Sequence, residues 1–593
     1  GGVGGPDDVA VDPEAPTRDE GDAVEEQAPS GGDADAGGGD VDRHSTTNVQ
    51  VEGVDEPDVV KTDGETVYFS HERAGDTKFV DAVPPEEMSV AEEIDAEGDL
   101  LLVDDTLVVI SDDEVSGYDV ETADEKWTRD LDHSVEAGRL VDGSVYLVTS
   151  DAVDRRNPCP SRPMEGVDVA CSDVHRPNTP TYVDSTYTVV ELEGSTGDVV
   201  DSTSYVGSDE AVVYVSRDSL YLTYARAETE ADVLLDFVED NPDVFDARTV
   251  DRLEQVRGYD LSDRALVAEV ESVLDDYMQS LDDDERLEKR NELENAMEDY
   301  VDDNLREYES TEIVEVSLEG LEAVETAEVP GHPLNQFSLD EHDGRLRVAT
   351  TVGESRALRG AESVSDVYVL DDGLDVVGSA RDMGEGQRIY SVRFAGDQAY
   401  LVTFRQVDPF YVVDLSDPSA PSVEGELKLP GYSSYLHPLS DDRVLGIGME
   451  DRRVKTAVFD VSDPTEPSVE SEFVLDESAS DAVSASVGNT AHRAFLLDER
   501  HEVFFLPGRS GGYVFSYADE LELVRAVDTG WTRRAVYVDD TLYVFADTEA
   551  VALDMTTWDR VGELEFDVDA RRPVEPIPEP TPQPDVEFEG TAD

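Results

Sequence analysis

Apolar runs of four to seven residues, alternating or continuous and bounded by Gly, Asp or Pro, recur through most of this chain and predict strands rather than helices. The runs group into a four-strand unit. Its clearest copy follows Arg388 and reads IYSVRFAGD, QAYLVTF, PFYVVDLSDPSAP and SVEGELKLPG. The next copy reads SSYLHPLSD, RVLGIGM, KTAVFDVSDPTEP and SVESEFVLD, and places Asp460 46 residues after Asp414, the repeat length of a propeller blade. Weaker copies keep the second-strand signature: TVYFS from Thr66, TLVVIS from Thr106, SVYLVTS from Ser144, SLYLTYA from Ser219, RLRVATT from Arg345, EVFFLPG from Glu502 and TLYVFADT from Thr541. Nine such units can be counted. Because propellers usually close with four to eight blades, one unit is expected to be incomplete or shared between the chain ends. The fold class is therefore all-β: a β-propeller of about eight four-stranded blades, within a range of seven to nine, over residues 47–572.

Two insertions interrupt the rhythm. Residues 151–182 form a Pro-rich loop carrying Cys159 and Cys171, the only cysteines, and a disulfide between them is expected because the paired spacing of a zinc site is absent. Residues 228–309 carry helical periodicity: Leu293, Met297, Tyr300, Val301, Leu305 and Tyr308 recur at three- and four-residue spacing, and SDRALVAEVESVLDDYMQSL forms a matching helix with Ser262 at its N-cap. An antiparallel helical hairpin packed on the propeller rim follows.

The ends differ from the middle. Residues 1–46 are Gly, Asp, Ala, Glu and Pro and read as a disordered acidic tether, while 573–593 read as a disordered Pro-rich tail. The formal net charge of −98 makes broad contact with nucleic acid or an anionic membrane repulsive. Molar salt, with a Debye length of roughly 3 Å, would relieve that self-repulsion, so a salt-adapted protein is expected. The 39% hydrophobic content excludes a wholly disordered acidic chain. No apolar run approaches the length of a membrane span, so membrane association is expected only through an N-terminal anchor.

Three stretches carry a resemblance: NVQVEGVDEPDVVKTDG from Asn48, VRFAGDQAYLVTFRQVDPFYVVDLSDP from Val392, and GYSSYLHPL from Gly431. They resemble the family of secreted proteins with a C-terminal β-propeller domain, found in haloarchaea and various bacteria. The resemblance implies the fold, export and, from the low-complexity N-terminus, tethering of lipoprotein type at the cell surface. It supplies no activity and no catalytic residue.

Gly508, Ser510 and Gly512 match GxSxG, but between two strands of one blade they read as a hairpin turn rather than a nucleophile elbow. Calcium is the one metal the acidic clusters suit, with Asp55, Glu56, Asp58 and Asp63 as its best ligands, although a solvated carboxylate run is the simpler reading. Asp414, Asp417, Asp460 and Asp463 are turn formers beside Pro418 and Pro464. The links entering successive blades bring Arg388, Tyr435, His437, His492, Arg493, Trp531, Arg533 and Arg534 to one face, where cations and aromatics suit a protein, peptide or glycan of the cell envelope. Ion pairing to neighbouring acidic loops is the competing explanation. The leading expectation is a non-enzymatic extracellular or cell-surface binding protein without a required cofactor. The alternatives are an extracellular hydrolase or lyase with its site at the channel mouth, or a structural envelope protein. A His paired to a carboxylate in a closed pocket would favour an enzyme; an open site without such a pair would favour binding.

Overall fold

Alternating side chains on consecutive antiparallel strands produce nine sheets in the computed structural model, which describes residues 43–567 apart from 154–160, 177–182, 209–210, 260, 355–360, 405–407 and 477–490. Each sheet holds four consecutive strands, and the third gains a short fifth, Val174–His175, parallel to its outermost strand. The blades run over 60–94, 99–130, 134–207, 212–330, 339–383, 388–429, 432–474, 496–527 and 532–565. Every second-strand signature read from the sequence lies in the second strand of its blade.

Buried clusters join each blade to the next. Leu101 and Val108 of blade 2 pack with Val145 and Leu147 of blade 3, and Phe410 of blade 6 stacks on Phe459 of blade 7 with ring centroids 4.5 Å apart. The ring closes in the same way, since Val67, Phe69 and Val80 of blade 1 share a cluster with Tyr543, Phe545 and Ala552 of blade 9. Nine blades is the upper limit of the expected range, not its centre. No unit is shared: blade 1 and blade 9 each take all four strands from one end of the chain, and face-to-face apolar packing closes the circle.

The SDP turns do more than reverse the chain. Asp417 and Asp463 accept backbone N–H bonds from Ser419 and Thr465, two residues on. Each turn then lies against a glycine in the outermost strand of the preceding blade. A Cβ on Gly378 would fall 2.3 Å from the Pro418 carbonyl oxygen, and one on Gly425 2.3 Å from that of Pro464. Pro85 of blade 1 meets Gly562 of blade 9 likewise, at 2.0 Å, so the rim contact also runs round the closed ring.

GxSxG lies in a hairpin, with Gly508 paired to Gly511. The large insertion joins the second and third strands of blade 4 and contains four helices: α1 (Glu230–Asp240), α2 (Ala247–Arg257), α3 (Asp263–Ser280) and α4 (Asp283–Asn304). The helices read from sequence are α3 and α4. Their partners are α1 and α2, because α3 packs on α2 and α4 on α1, rather than forming an isolated hairpin. Ser262 occupies the N-cap of α3 without a side-chain capping bond. Val301, Leu305 and Tyr308 dock the bundle on Val352 of blade 5, and Arg306 bonds the fully buried Asp366 and exposed Asp382. No described helix is long and apolar enough to cross a membrane. Cys171 opens a short 3-10 turn; Cys159, and with it the expected Cys159–Cys171 pairing, lies outside the described residues.

Candidate functional site

The first strands of the blades form the inner wall of a ring, and their polar edges need partners. The chain supplies them itself. From Arg43 to Val59 it runs round the inside of the channel, touching the blades in nearly descending order. Ser45 donates its N–H to Tyr537 O of blade 9. Asn48 Nδ2 donates to Tyr435 Oη of blade 7, at 2.8 Å, and to His492 O on the link into blade 8. Gln50 Nε2 reaches Gln336 O and Leu339 O, entering blade 5. Arg217 of blade 4 holds Glu52 O, Asp55 pairs with Leu140 of blade 3, and Asp58 with Leu100 of blade 2. The stretch beginning NVQVEG is thus a channel lining. Arg43–Thr46, assigned by composition to the tether, belong to it.

At the centre lies Glu56, almost wholly buried. His492 Nε2 stands 2.9 Å from one carboxylate oxygen, Gln336 Nε2 donates to the other at 3.0 Å, and Arg139 and Arg493 lie 3.8 and 3.5 Å away. Burial alone would raise this carboxyl, but Arg139, the His492 hydrogen bond and Arg493 outweigh it and hold the group well below the usual carboxylate range. The other acidic residues of the stretch are engaged separately. Asp55 takes Lys61 Nζ on both oxygens, Asp58 takes Arg534 Nε at 2.7 Å, and Asp63 caps the N–H groups of Glu65 and Thr66. These four carboxylates, the calcium candidates, do not converge, and among the described residues no three His, Cys, Asp or Glu side chains are arranged to hold a metal.

The sequence-derived site residues fall into two groups. Tyr435, His437, His492, Arg493 and Arg534 point inward to the channel segment and are buried or partly buried against it. Arg388, Trp531 and Arg533 stay at the rim. Trp531 is 48% exposed, with the Arg533 and Arg509 guanidiniums 4.5 and 5.8 Å from its ring. Arg533 also binds Asp547 and Glu72, and Arg388 lies over Tyr390 at 5.1 Å. The eight residues therefore do not surround one open mouth.

Two cavities flank the channel segment. One, of about 460 Å³, opens at the end bearing the first hairpin of each blade. It is walled by Val54, Leu102, Leu140, Phe495 and Val536, with Asp58, Lys61, Arg493 and Arg534 among its polar lining. The other, about 1310 Å³, opens on the face of the interblade links between blades 1 and 3. It is lined by Asp95, Glu97, Asp99, Asp112, Asp113 and Glu136, so this sector of the mouth is acidic, not cationic. Arg493 borders both and marks the waist between them.

Among the described residues, three His–carboxylate contacts fall below 3 Å. His492–Glu56 lines neither cavity. His332 has Glu309 on Nε2 at 2.7 Å and Thr311 Oγ1 3.3 Å from Nδ1, so both ring nitrogens are occupied. His501 lies between Asp498 and Asp540. None presents a free nitrogen to a described cavity, the geometry a general base needs.

A family model described as beta propeller domain matches residues 44–558, most of the chain. The chain belongs to that family. The beta propeller domain match begins where the channel segment meets blade 9, so it takes in the lining together with the blades. An uncharacterized protein of Archaeoglobus fulgidus is 41% identical over 542 residues, covering 88% of this chain and 85% of its own. An uncharacterized protein of Methanocaldococcus jannaschii is 34% identical over 540 residues, covering 89% and 84%. The structure of apo AztD from Citrobacter koseri aligns over 85% of this chain and 95% of its own, at 10% identity and a TM-score of 0.37.

Sequence reasoning missed Arg139, Gln336 as a ligand of Glu56, and Lys61 in its buried contacts with Thr47, Asp55 and Glu56. Polar Asn48 and Gln50 alternating with Val49 and Val51 were the available signal for a strand whose two sides meet different surroundings.

Proposed function

We propose that this beta propeller domain protein is a non-enzymatic binding module, exported and held at the cell surface, that receives an uncharged, partly apolar ligand in its hairpin-end cavity. The observation that carries this reading is the preformed cavity of about 460 Å³, within the range of small-ligand sites, in which each lining Lys and Arg is already paired. Lys61 is matched by Asp55, Arg534 by Asp58, and Arg493 by Asp99 and Glu56. Such a lining offers apolar contact and fixed dipoles but no spare cation, which favours an apolar peptide segment over an acidic glycan. That none of the three short His–carboxylate pairs lines a described cavity argues against the hydrolase or lyase alternative. Export and surface tethering rest on the sequence resemblance. They accord with a Cys159–Cys171 disulfide, for which intact mass after alkylation without reductant should show no added label.

The test is capture of neutral apolar peptides by the full chain in molar salt, compared with a Leu102→Trp variant that fills the cavity. Retention by the wild type and its loss in the folded variant is expected. Equal retention, or none by either protein, would overturn the reading. The exposed Trp531 between two arginines favours a second site, for an acidic glycan at the rim; a Trp531→Ala variant with unchanged glycan retention would remove it.

A further inference from the structure

Beside Asn48, on the inner edges of blades 6 and 7, lies a second cluster that the Glu56 network does not absorb. Arg393, only 6% exposed, projects from the first strand of blade 6, with its guanidinium 5.4 Å from the Phe337 ring centre. Phe337 also meets Tyr435 and His492 edge-on, at 6.2 and 4.9 Å. His437, 1% exposed, follows two residues after Tyr435. Among the described residues Arg393 makes no ion pair or hydrogen bond, and its Nε is wholly buried. Among the described residues, no carboxylate is paired with this guanidinium. Glu56 is already engaged by Arg139, His492 and Arg493.

The hydrogen bonds fix the state of His437. Tyr435 Oη accepts from Asn48 Nδ2, and its remaining contact is His437 Nδ1 at 3.1 Å, so the hydroxyl donates to Nδ1. Burial and the nearby Arg393 charge push the His437 imidazole down to about 3, which keeps the ring neutral. A neutral ring accepting at Nδ1 carries its proton on Nε2, and this buried Nε2–H has no acceptor among the described residues. Two buried donors, one on a full positive charge, therefore lack an acceptor in the same neighbourhood. A water could satisfy the donors but would leave the guanidinium charge uncompensated.

We infer that Arg393 and His437 form a buried seat for a small inorganic anion of chloride's class, wedged between blades 6 and 7 beside Phe337. This site is independent of the peptide cavity and stands whether or not that cavity binds. It also gives a strongly acidic protein a structural use for the anion of its surrounding salt.

Chloride is the probe, titrated into the full chain against sodium gluconate at fixed ionic strength, with melting temperature as the readout. The wild type should show a saturable rise with chloride. Arg393→Met, which removes the charge but keeps the bulk, should lose that response. Crystals of the wild type grown in bromide should show an anomalous peak within hydrogen-bond reach of Arg393 and His437. If the variant does not fold, the bromide experiment decides alone. An equal chloride response in a folded variant, or a water with no anomalous signal at the seat, would overturn the inference.

Discussion

Glu56 shows how much one side chain can be asked to hold. It neutralises Arg139, which is buried on the opposite side of the channel segment and has Glu56 as its charge partner, and it positions His492. Glu56→Gln keeps the shape and removes the charge, leaving buried cations uncompensated. A loss of about 3–5 kcal/mol in unfolding free energy is expected by denaturant titration at constant salt. Since the folded carboxyl is held below its unfolded value, its contribution is complete above the ordinary carboxylate range and fades as pH falls through that range. His437 adds to acid sensitivity from a different direction. Its folded value near 3 lies below the ordinary histidine value of 6.5, so the unfolded chain takes up a proton first, and stability should fall as pH drops from 6.5 towards 3. Replacing His437 with Gln should flatten that interval in a pH series of melts; an unchanged slope would refute the assignment. Little of this could be read from sequence, because Glu56 and His492 stand 436 positions apart and nothing local marks them as a pair.

At the scale of elements, legibility followed burial on both faces. Second strands such as Val145–Val148 are packed on both sides and read as continuous apolar runs. Outer strands such as Ala323–Pro330, largely exposed, left only a weak trace. Helix α1 announces itself through a capping box, Thr229 with Asp232, but it is short and ends at Asn241–Pro242, so its periodicity never accumulates. The SDP turns were legible as turns, though not as contacts, because the glycine each one meets belongs to another blade. Gly425→Val tests that contact: the added side chain would strike the Pro464 turn, with an expected loss of roughly 1–3 kcal/mol and a lower melting temperature. The same substitution at the exposed Gly320, which faces open space but has positive φ, separates overpacking from backbone strain.

For the whole molecule, the excess of carboxylates is spread over a ring whose channel segment is largely paired, so repulsion acts chiefly between outer surfaces and across the acidic sector of the mouth. Stability should rise steeply from low salt towards molar salt and then level off, followed by thermal melts across a chloride series and a gluconate series. A flat response in both would remove the reading of salt adaptation. The propeller was legible because its repeat is local, whereas the content of its channel was not, because the lining strand answers to partners scattered along the whole chain. That lining also sets an order of events. Ser45 leaves the ribosome among the first residues of the propeller, yet the carbonyl it bonds belongs to Tyr537. The first residues of the strand must therefore wait while nearly five hundred residues are made, since their partner lies in the last blade, although Asp58 and Asp55 can pair with blades 2 and 3 early. A chain stalled before blade 9 would display that waiting strand, and the timing of its protection from proteolysis would report the moment at which synthesis becomes a finished ring.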